Sequence, residues 1–307
     1  MISLRQSISA ELATPVNPQI NEFAEHIAQQ YLGAAMAVLF YGSCLRSEKL
    51  EGEMLDFYVI VSNYDDAYEK PWMAKWNRRI PPNVFPYNFN GLAAKVAILS
   101  MDDFANLCKP EADNISVWAR FSQPVRLVWR INEDTEQAIA NAVASAVPTL
   151  LNAALAHSDR EVGLLDLWES GFALTYGAEL RAESKSRPGD VIKFDPERYI
   201  QIGKAGLYHC RIAAEIRGDK VHIVGDNRFR VEQELSRWPA LRRRGKWLTI
   251  LRLGKAAFTY AGGIDYLAWK INRHAGTNIT IRPWQRKWPF IAAIFLLPKL
   301  LAKGAVK

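Results

Sequence analysis

Cysteine is scarce: three occur in 307 residues, Cys44, Cys108 and Cys210, and no two share a CxxC spacing. An odd, unpaired set excludes a disulfide framework and a paired-cysteine zinc site, and it fits a reducing compartment. No repeat or low-complexity stretch interrupts the chain. Residues 1–19 hold no apolar run behind a basic start, so a secretory signal is not expected. With Arg5 as its only cation and Glu11 present, the same stretch is also a poor organellar transit peptide. The apolar run Pro289 to Pro298 falls short of the roughly 20 residues needed to span a bilayer.

Acid is nearly missing from one end. From Arg237 to Lys307 there are fifteen Lys/Arg and a single acid, Asp265, for a net +14. The other 236 residues carry 24 bases and 31 acids, for a net −7. An acidic body joined to a basic tail points to a polyanionic partner, an anionic membrane or a nucleic acid. The tail also holds five of the ten tryptophans: Trp238, Trp247, Trp269, Trp284 and Trp288. A short apolar wedge flanked by Trp, Lys and Arg suits the headgroup layer of a membrane, so a membrane ranks above nucleic acid. A C-terminal helix docked on the body would carry the same composition.

Periodicity predicts a helix over 19–33, with Ile20, Phe23, Ile27 and Tyr31 on one side, and short strands over 37–41, 55–61 and 94–99. Ser100 with Asp103 three residues on has the form of a helix N-cap, and 124–129 can supply a further strand. Beyond Asn132 the texture is helical: an alanine-rich segment over 133–157, a second over 161–176 and a third over 196–217, with a polar stretch over 183–190. The expected architecture is α/β: a nucleotidyltransferase-like mixed sheet over 1–131, a helical domain over 132–236, and a basic, Trp-rich membrane-associating region over 237–307.

Chemistry concentrates in Tyr41-Gly42-Ser43-Cys44-Leu45-Arg46 and Met54-Leu55-Asp56-Phe57-Tyr58. A strand that ends in Gly42-Ser43 is followed, thirteen residues after Ser43, by an aspartate in the next apolar strand. Glycine lets a backbone approach phosphate oxygens, the serine hydroxyl adds a donor, and nearby amides form an anion pocket. An aspartate on the adjacent strand can hold Mg²⁺ against the same phosphates, since Mg²⁺ uses one or two carboxylates plus phosphate oxygens. Gly-Ser after a strand is also a common plain turn. Asp56 is the sharper signal, because an acid among Leu55, Phe57, Tyr58 and Val59 is costly to bury unless paired or metal-bound. Lys95 opens the third strand and can hold a phosphate as a point charge, or stand as a solvated strand end. His209 and Cys210 have no spaced partner and read as core or surface.

These segments, with Ile80-Pro81-Pro82-Asn83-Val84 and Lys95-Val96-Ala97-Ile98-Leu99-Ser100, fall in an order that resembles the mitochondrial-type phosphatidate cytidylyltransferases, the translocator-maintenance family. Leu174-Thr175-Tyr176-Gly177-Ala178-Glu179-Leu180-Arg181 resembles that family's segment with an acid two residues before an arginine. Leu253-Gly254-Lys255-Ala256-Ala257-Phe258-Thr259-Tyr260-Ala261-Gly262-Gly263, then Tyr266, Ala268 and Lys270, is similar to its C-terminal stretch. The similarity covers roughly residues 37–275, patchily.

The resemblance implies a peripheral membrane enzyme that joins CTP to phosphatidate, releasing pyrophosphate and forming CDP-diacylglycerol. It would sit on the inner, cytoplasmic face of a membrane, or on the matrix side of a mitochondrial one. Gly42 and Ser43 would bind the triphosphate, and Asp56, with Glu179, the Mg²⁺. Lys95, Arg181 and Lys255 would meet phosphates. Two departures stand out: nucleotidyltransferases generally carry a second acid two residues after the first, where this chain has Tyr58, and the family's aspartate near the arginine is Glu179 here. A phosphomonoester nucleophile, with a second pKa near 6, is already largely anionic, so positioning and charge neutralisation matter more than a general base. Two other readings remain open: transfer to RNA or to a small soluble acceptor, and a membrane-binding relative without catalysis.

Overall fold

The computed structural model describes residues 3–31, 33–47, 49–179, 187–259 and 280–283. Its first element, α1 (Leu4–Leu12), is closed by a capping box between Ser3 and Gln6, and it buries Leu4, Ile8 and Leu12 at four-residue spacing. Asn17 caps α2 (Pro18–Gln29), whose proline sits in the first turn and whose Ile20, Phe23 and Ile27 face inward as their periodicity predicts.

Five strands form the main sheet: β1 (Ala35–Tyr41), β2 (Met54–Val61), β3 (Asn83–Phe89), β4 (Leu92–Ser100) and β5 (Val125–Arg130). Their order is β3-β4-β2-β1-β5. The β2–β4 pair is parallel and the other three pairs are antiparallel, so the sheet is mixed, as the α/β reading requires. Short helices fill the connections: α3 (Ser43–Ser47) after β1, then α4 (Tyr64–Ala67) and α5 (Pro71–Arg79) between β2 and β3. Between β4 and β5 come α6 (Met101–Cys108), with Ser100 accepting from the Asp103 amide at 3.2 Å, and α7 (Trp118–Phe121). Strand β3 is an addition to the expected set. Its hairpin with β4 turns on Asn90-Gly91, at φ 46° and 79°, the left-handed pair that a two-residue turn demands.

Alternation along the strands splits the apolar residues between two layers. Phe57, Val59, Val38 and Phe40 pack with Phe23 and Ile27 of α2 on one face. Leu39, Tyr58, Ile60, Ala97 and Leu99 face a larger cluster on the other. That cluster is organised by α8 (Glu133–Ala156), with α1, α6 and α7 and two later helices, α9 (Leu164–Ala178) and α11 (Pro196–Leu207), packed around it. Among the described residues α8 is the one helix long and apolar enough to cross a membrane, but it is mostly buried inside the protein and serves as a core helix.

The remaining elements are β6 (Glu161–Gly163), α9 (Leu164–Ala178), α10 (Arg187–Phe194), α11 (Pro196–Leu207), β7 (Ala214–Arg217), β8 (Lys220–Ile223) and α12 (Arg228–Thr259). The expectation of helix through Arg217 is corrected here. Helix α11 ends at Leu207, and Ala214–Arg217 pairs with β8 across a turn at Gly218, φ +67°, in a three-stranded sheet ordered β6-β8-β7. Along β7, Ala214 and Ile216 pack against the larger cluster while Glu215 and Arg217 are exposed, the period of two of a strand. Helix α12 runs without a break through position 237, and its Trp238 and Leu241 join the larger apolar cluster.

Candidate active site

Strand register assembles the site. Tyr41 at the end of β1 pairs with Asp56 of β2, and Asp56 in turn pairs with Lys95 of β4. Residues two apart share a face, so Asp56 and Lys95 lie on the same side as Tyr58 and Ala97, at the edge of the larger apolar layer. Lys95 Nζ stands 3.5 Å from Asp56 Oδ1, and the two side chains are 30% and 24% exposed. Asp56 is therefore a paired, partly open acid near the start of its strand rather than a buried one.

The turn after β1 closes over this acid. Gly42 has φ +94°, and a Cβ built on it would lie 2.8 Å from Asp56 Oδ2. Both facts require glycine: the backbone is left-handed, and the space is taken by the carboxylate. Ser43 follows as the exposed first residue of α3. Cys44 behind it is buried, with Sγ 3.6 Å from the Met54 carbonyl. Burial first, and then the charge of Asp56, push its thiol up, so it stays protonated and is no nucleophile.

Across from the strands stand residues that the sequence reading passed over. Arg120 of α7 donates to the Ser116 carbonyl at 2.6 Å and reaches Tyr58 Oη at 3.5 Å. Its guanidinium carbon lies 5.7 Å from the centre of the Tyr41 ring, which itself packs 5.3 Å from the Tyr58 ring. Burial works to lower the Arg120 pKa, but Tyr58, Tyr41, Glu179 and Asp56 together hold it above the usual guanidinium range. The tyrosine at position 58, where nucleotidyltransferases carry their second acid, thus faces an arginine. The clue was available: Arg120 lies within Trp118-Ala119-Arg120-Phe121, a cation in an apolar run, which is the reasoning that singled out Asp56.

Helix α12 completes the wall. Arg252 donates from Nε to the Pro81 carbonyl at 2.8 Å. Lys255 is 8% exposed, and its ammonium donates to the carbonyls of Ile80 and Pro82. Expected against a lipid phosphate, Lys255 instead clamps the segment between α5 and β3. Burial and the neighbouring Arg252 push it down to about 7. Asn77 braces the same segment from α5, donating to the Ile98 carbonyl at 2.9 Å and accepting from the Asn83 amide.

Glu179 lies just past the end of α9, where α12 comes close: a Cβ on Gly245 would lie 2.5 Å from the Ala178 carbonyl oxygen. Glu179 is one of the charges acting on both Arg120 and Arg252. Arg181 lies outside the described residues, as does the Trp-rich run from 284 to 307. Among the described residues no group of three or more His, Cys, Asp or Glu could hold a metal ion. The donor set at Asp56 nonetheless fits Mg²⁺ of the kind shared with a substrate: one accessible carboxylate beside a glycine turn, with phosphates supplying the other oxygens.

No family model matches this chain, and no curated protein does. Among solved structures it is similar to a nucleotidyltransferase-like protein from Exiguobacterium sibiricum 255-15. That similarity has a TM-score of 0.28 and 10% identity, and covers 93% of this chain and 92% of that one. A likeness this shallow carries no weight for activity, which has to be judged on the site itself.

Proposed function

We propose that the protein is a nucleotidyltransferase that joins CTP to phosphatidate, giving CDP-diacylglycerol and pyrophosphate, at an anionic membrane surface. The observation that carries the reading is the packing of the Gly42 turn on Asp56, with Lys95 alongside at 3.5 Å. A left-handed glycine lets the turn close directly on the carboxylate, so that phosphates bound by the turn would meet a metal held by Asp56. Asp56 would hold Mg²⁺, with Glu179 as a second candidate; when bound, the ion neutralises charge on the triphosphate. Gly42 and Ser43 seat the triphosphate, and Lys95 balances its charge. Arg181, beyond the described residues, is a further candidate for the phosphates.

The absence of a second strand acid suits this acceptor. A phosphomonoester attacks as an anion and has no high-pKa proton to shed, so Tyr58 can stand where polymerase-like enzymes need a carboxylate. Membrane attachment is supported by the +14 charge of residues 237–307. An exposed stripe on α5 adds to it: Trp72, Lys75, Trp76 and Arg79, at helical spacing i, i+3, i+4 and i+7. Tryptophan and long basic side chains together favour the headgroup layer. The location that follows is peripheral, on the inner face of a membrane.

The test is a product assay: labelled CTP, Mg²⁺ and phosphatidate-containing vesicles with the purified chain. Label in chloroform-soluble material is the expected result. Label appearing only on RNA or a soluble acceptor would move the protein to another acceptor class, and no transfer at all would leave a binding protein.

A further inference from the structure

We propose that Arg120 and Arg252 form the seat for the acceptor's phosphomonoester, one strand step along β2 from the triphosphate turn. This rests on the nucleotidyltransferase reading and names the second half of its site. Four observations lead there. Arg252 spends its Nε on the Pro81 carbonyl, while its buried Nη2 has no hydrogen-bond partner among the described residues. A buried guanidinium nitrogen left unpaired is costly, and a ligand oxygen would relieve it. Tyr58 and Glu179 act on both Arg120 and Arg252, and Arg120 in turn acts unfavourably on Arg252. Glu179 is the carboxylate that acts on both guanidiniums, and an anion bound between them would offset the unfavourable action of Arg120 on Arg252. Tyr58 Oη, 3.5 Å from Arg120, adds a neutral donor.

Position separates this seat from the triphosphate. Tyr58 follows Asp56 by two residues on one face, a step of about 6.7 Å along a strand. The acceptor phosphate would then lie beside the α-phosphate of a nucleotide held by Gly42, Ser43 and Asp56. In the reaction, an oxygen of the acceptor phosphate forms a bond to the α-phosphorus. The bond from that phosphorus to the bridging oxygen breaks, and pyrophosphate leaves with the electron pair. Guanidinium forks suit the dianion because they bind phosphate in a bidentate fashion.

The experiment compares wild type, Arg252→Gln and Arg252→Lys, each first checked for an unchanged melting profile. Arg252→Lys keeps a cation near Pro81 and serves if the glutamine variant does not fold. Steady-state transfer is measured against phosphatidate in mixed micelles and against glycerol 3-phosphate, with CTP·Mg²⁺ binding measured by titration. The expected result is a KM for phosphatidate raised about tenfold or more, the effect of a lost charged hydrogen bond, with CTP affinity changed less than about threefold. Use of glycerol 3-phosphate as well would show that the seat reads the phosphate, and phosphatidate alone would show that it also needs the lipid. An unchanged KM overturns the proposal, and so does a loss of CTP binding, which would put the triphosphate there. A parallel titration with inorganic phosphate separates the two readings. Phosphate bound by wild type and lost in Arg252→Gln, with no transfer by either, would keep the anion seat and remove the proposed activity.

Discussion

A methyl group on Gly42 would lie 2.8 Å from Oδ2 of Asp56, so the turn and the acid are built as one unit. Gly42→Ala forces both a left-handed alanine, about 1–3 kcal/mol of backbone strain, and a clash with the carboxylate. Asp56→Asn removes the charge and keeps the shape. Asp56→Asn is expected to lower transfer by about two to three orders of magnitude, the scale for removing one preorganised group, and Gly42→Ala is expected to lower it by displacing that group. Asp56→Asn should melt near wild type, while Gly42→Ala should melt lower. Turnover of Asp56→Asn at the wild-type rate under saturating Mg²⁺ would remove Asp56 from the site.

Stability at the start of β5, where Val125 pairs with Tyr41, depends on a buried ion pair. Arg198 of α11 donates from Nε and Nη2 to the two oxygens of Glu11, with side chains only 6% and 10% exposed. The Val125 amide also donates to Glu11, and Arg198 reaches the Ser122 carbonyl at 3.2 Å. Glu11→Gln leaves the guanidinium without its countercharge and should destabilise by about 3–5 kcal/mol in urea unfolding. A loss below 1 kcal/mol would mean that solvent reaches the pair.

Lys255 predicts a pH dependence of stability. Its pKa is pushed from 10.5 to about 7 by burial and Arg252. Between those values the unfolded chain holds the proton and the folded one does not, so stability gains from rising pH across that window. Wild type should therefore gain stability relative to Lys255→Met between about pH 7 and pH 10. A flat difference across that range would mean that the two carbonyls keep the ammonium charged.

The stripe on α5 predicts a second membrane contact besides the tail. Trp72 and Trp76 are 43% and 47% exposed. Trp72→Ala/Trp76→Ala should weaken sedimentation with vesicles containing phosphatidate or phosphatidylglycerol at every salt concentration. Lys75→Glu/Arg79→Glu should weaken it most at low salt, because its contribution is screened beyond about 8 Å at physiological ionic strength. Removal of residues 283–307 should release the protein further while CTP binding persists. Sedimentation unchanged in both double variants would make α5 an ordinary solvated surface.

The strands at the site could be read from the sequence because their apolar residues alternate with turn signals, and Gly42 and Ser43 stand at a strand end where local rules apply; Lys95, expected to open its strand, is instead the fourth residue of β4. The turn at Asn90-Gly91 was equally legible, since only a left-handed pair closes a two-residue hairpin, yet β3 went unread behind Ile80-Pro81-Pro82. The short strands β7 and β8 were lost for a related reason: four residues are too few to separate a period of two from one of 3.6. Which face each acid takes, and which bases meet it, depends on register and on long-range packing. Parallel pairing of β2 with β4 is what puts Lys95 beside Asp56. The close approach at Gly245 brings α12 to the end of α9, with Arg252 and Glu179 acting on each other. No local pattern contains those contacts, because their partners are 39 or more residues apart.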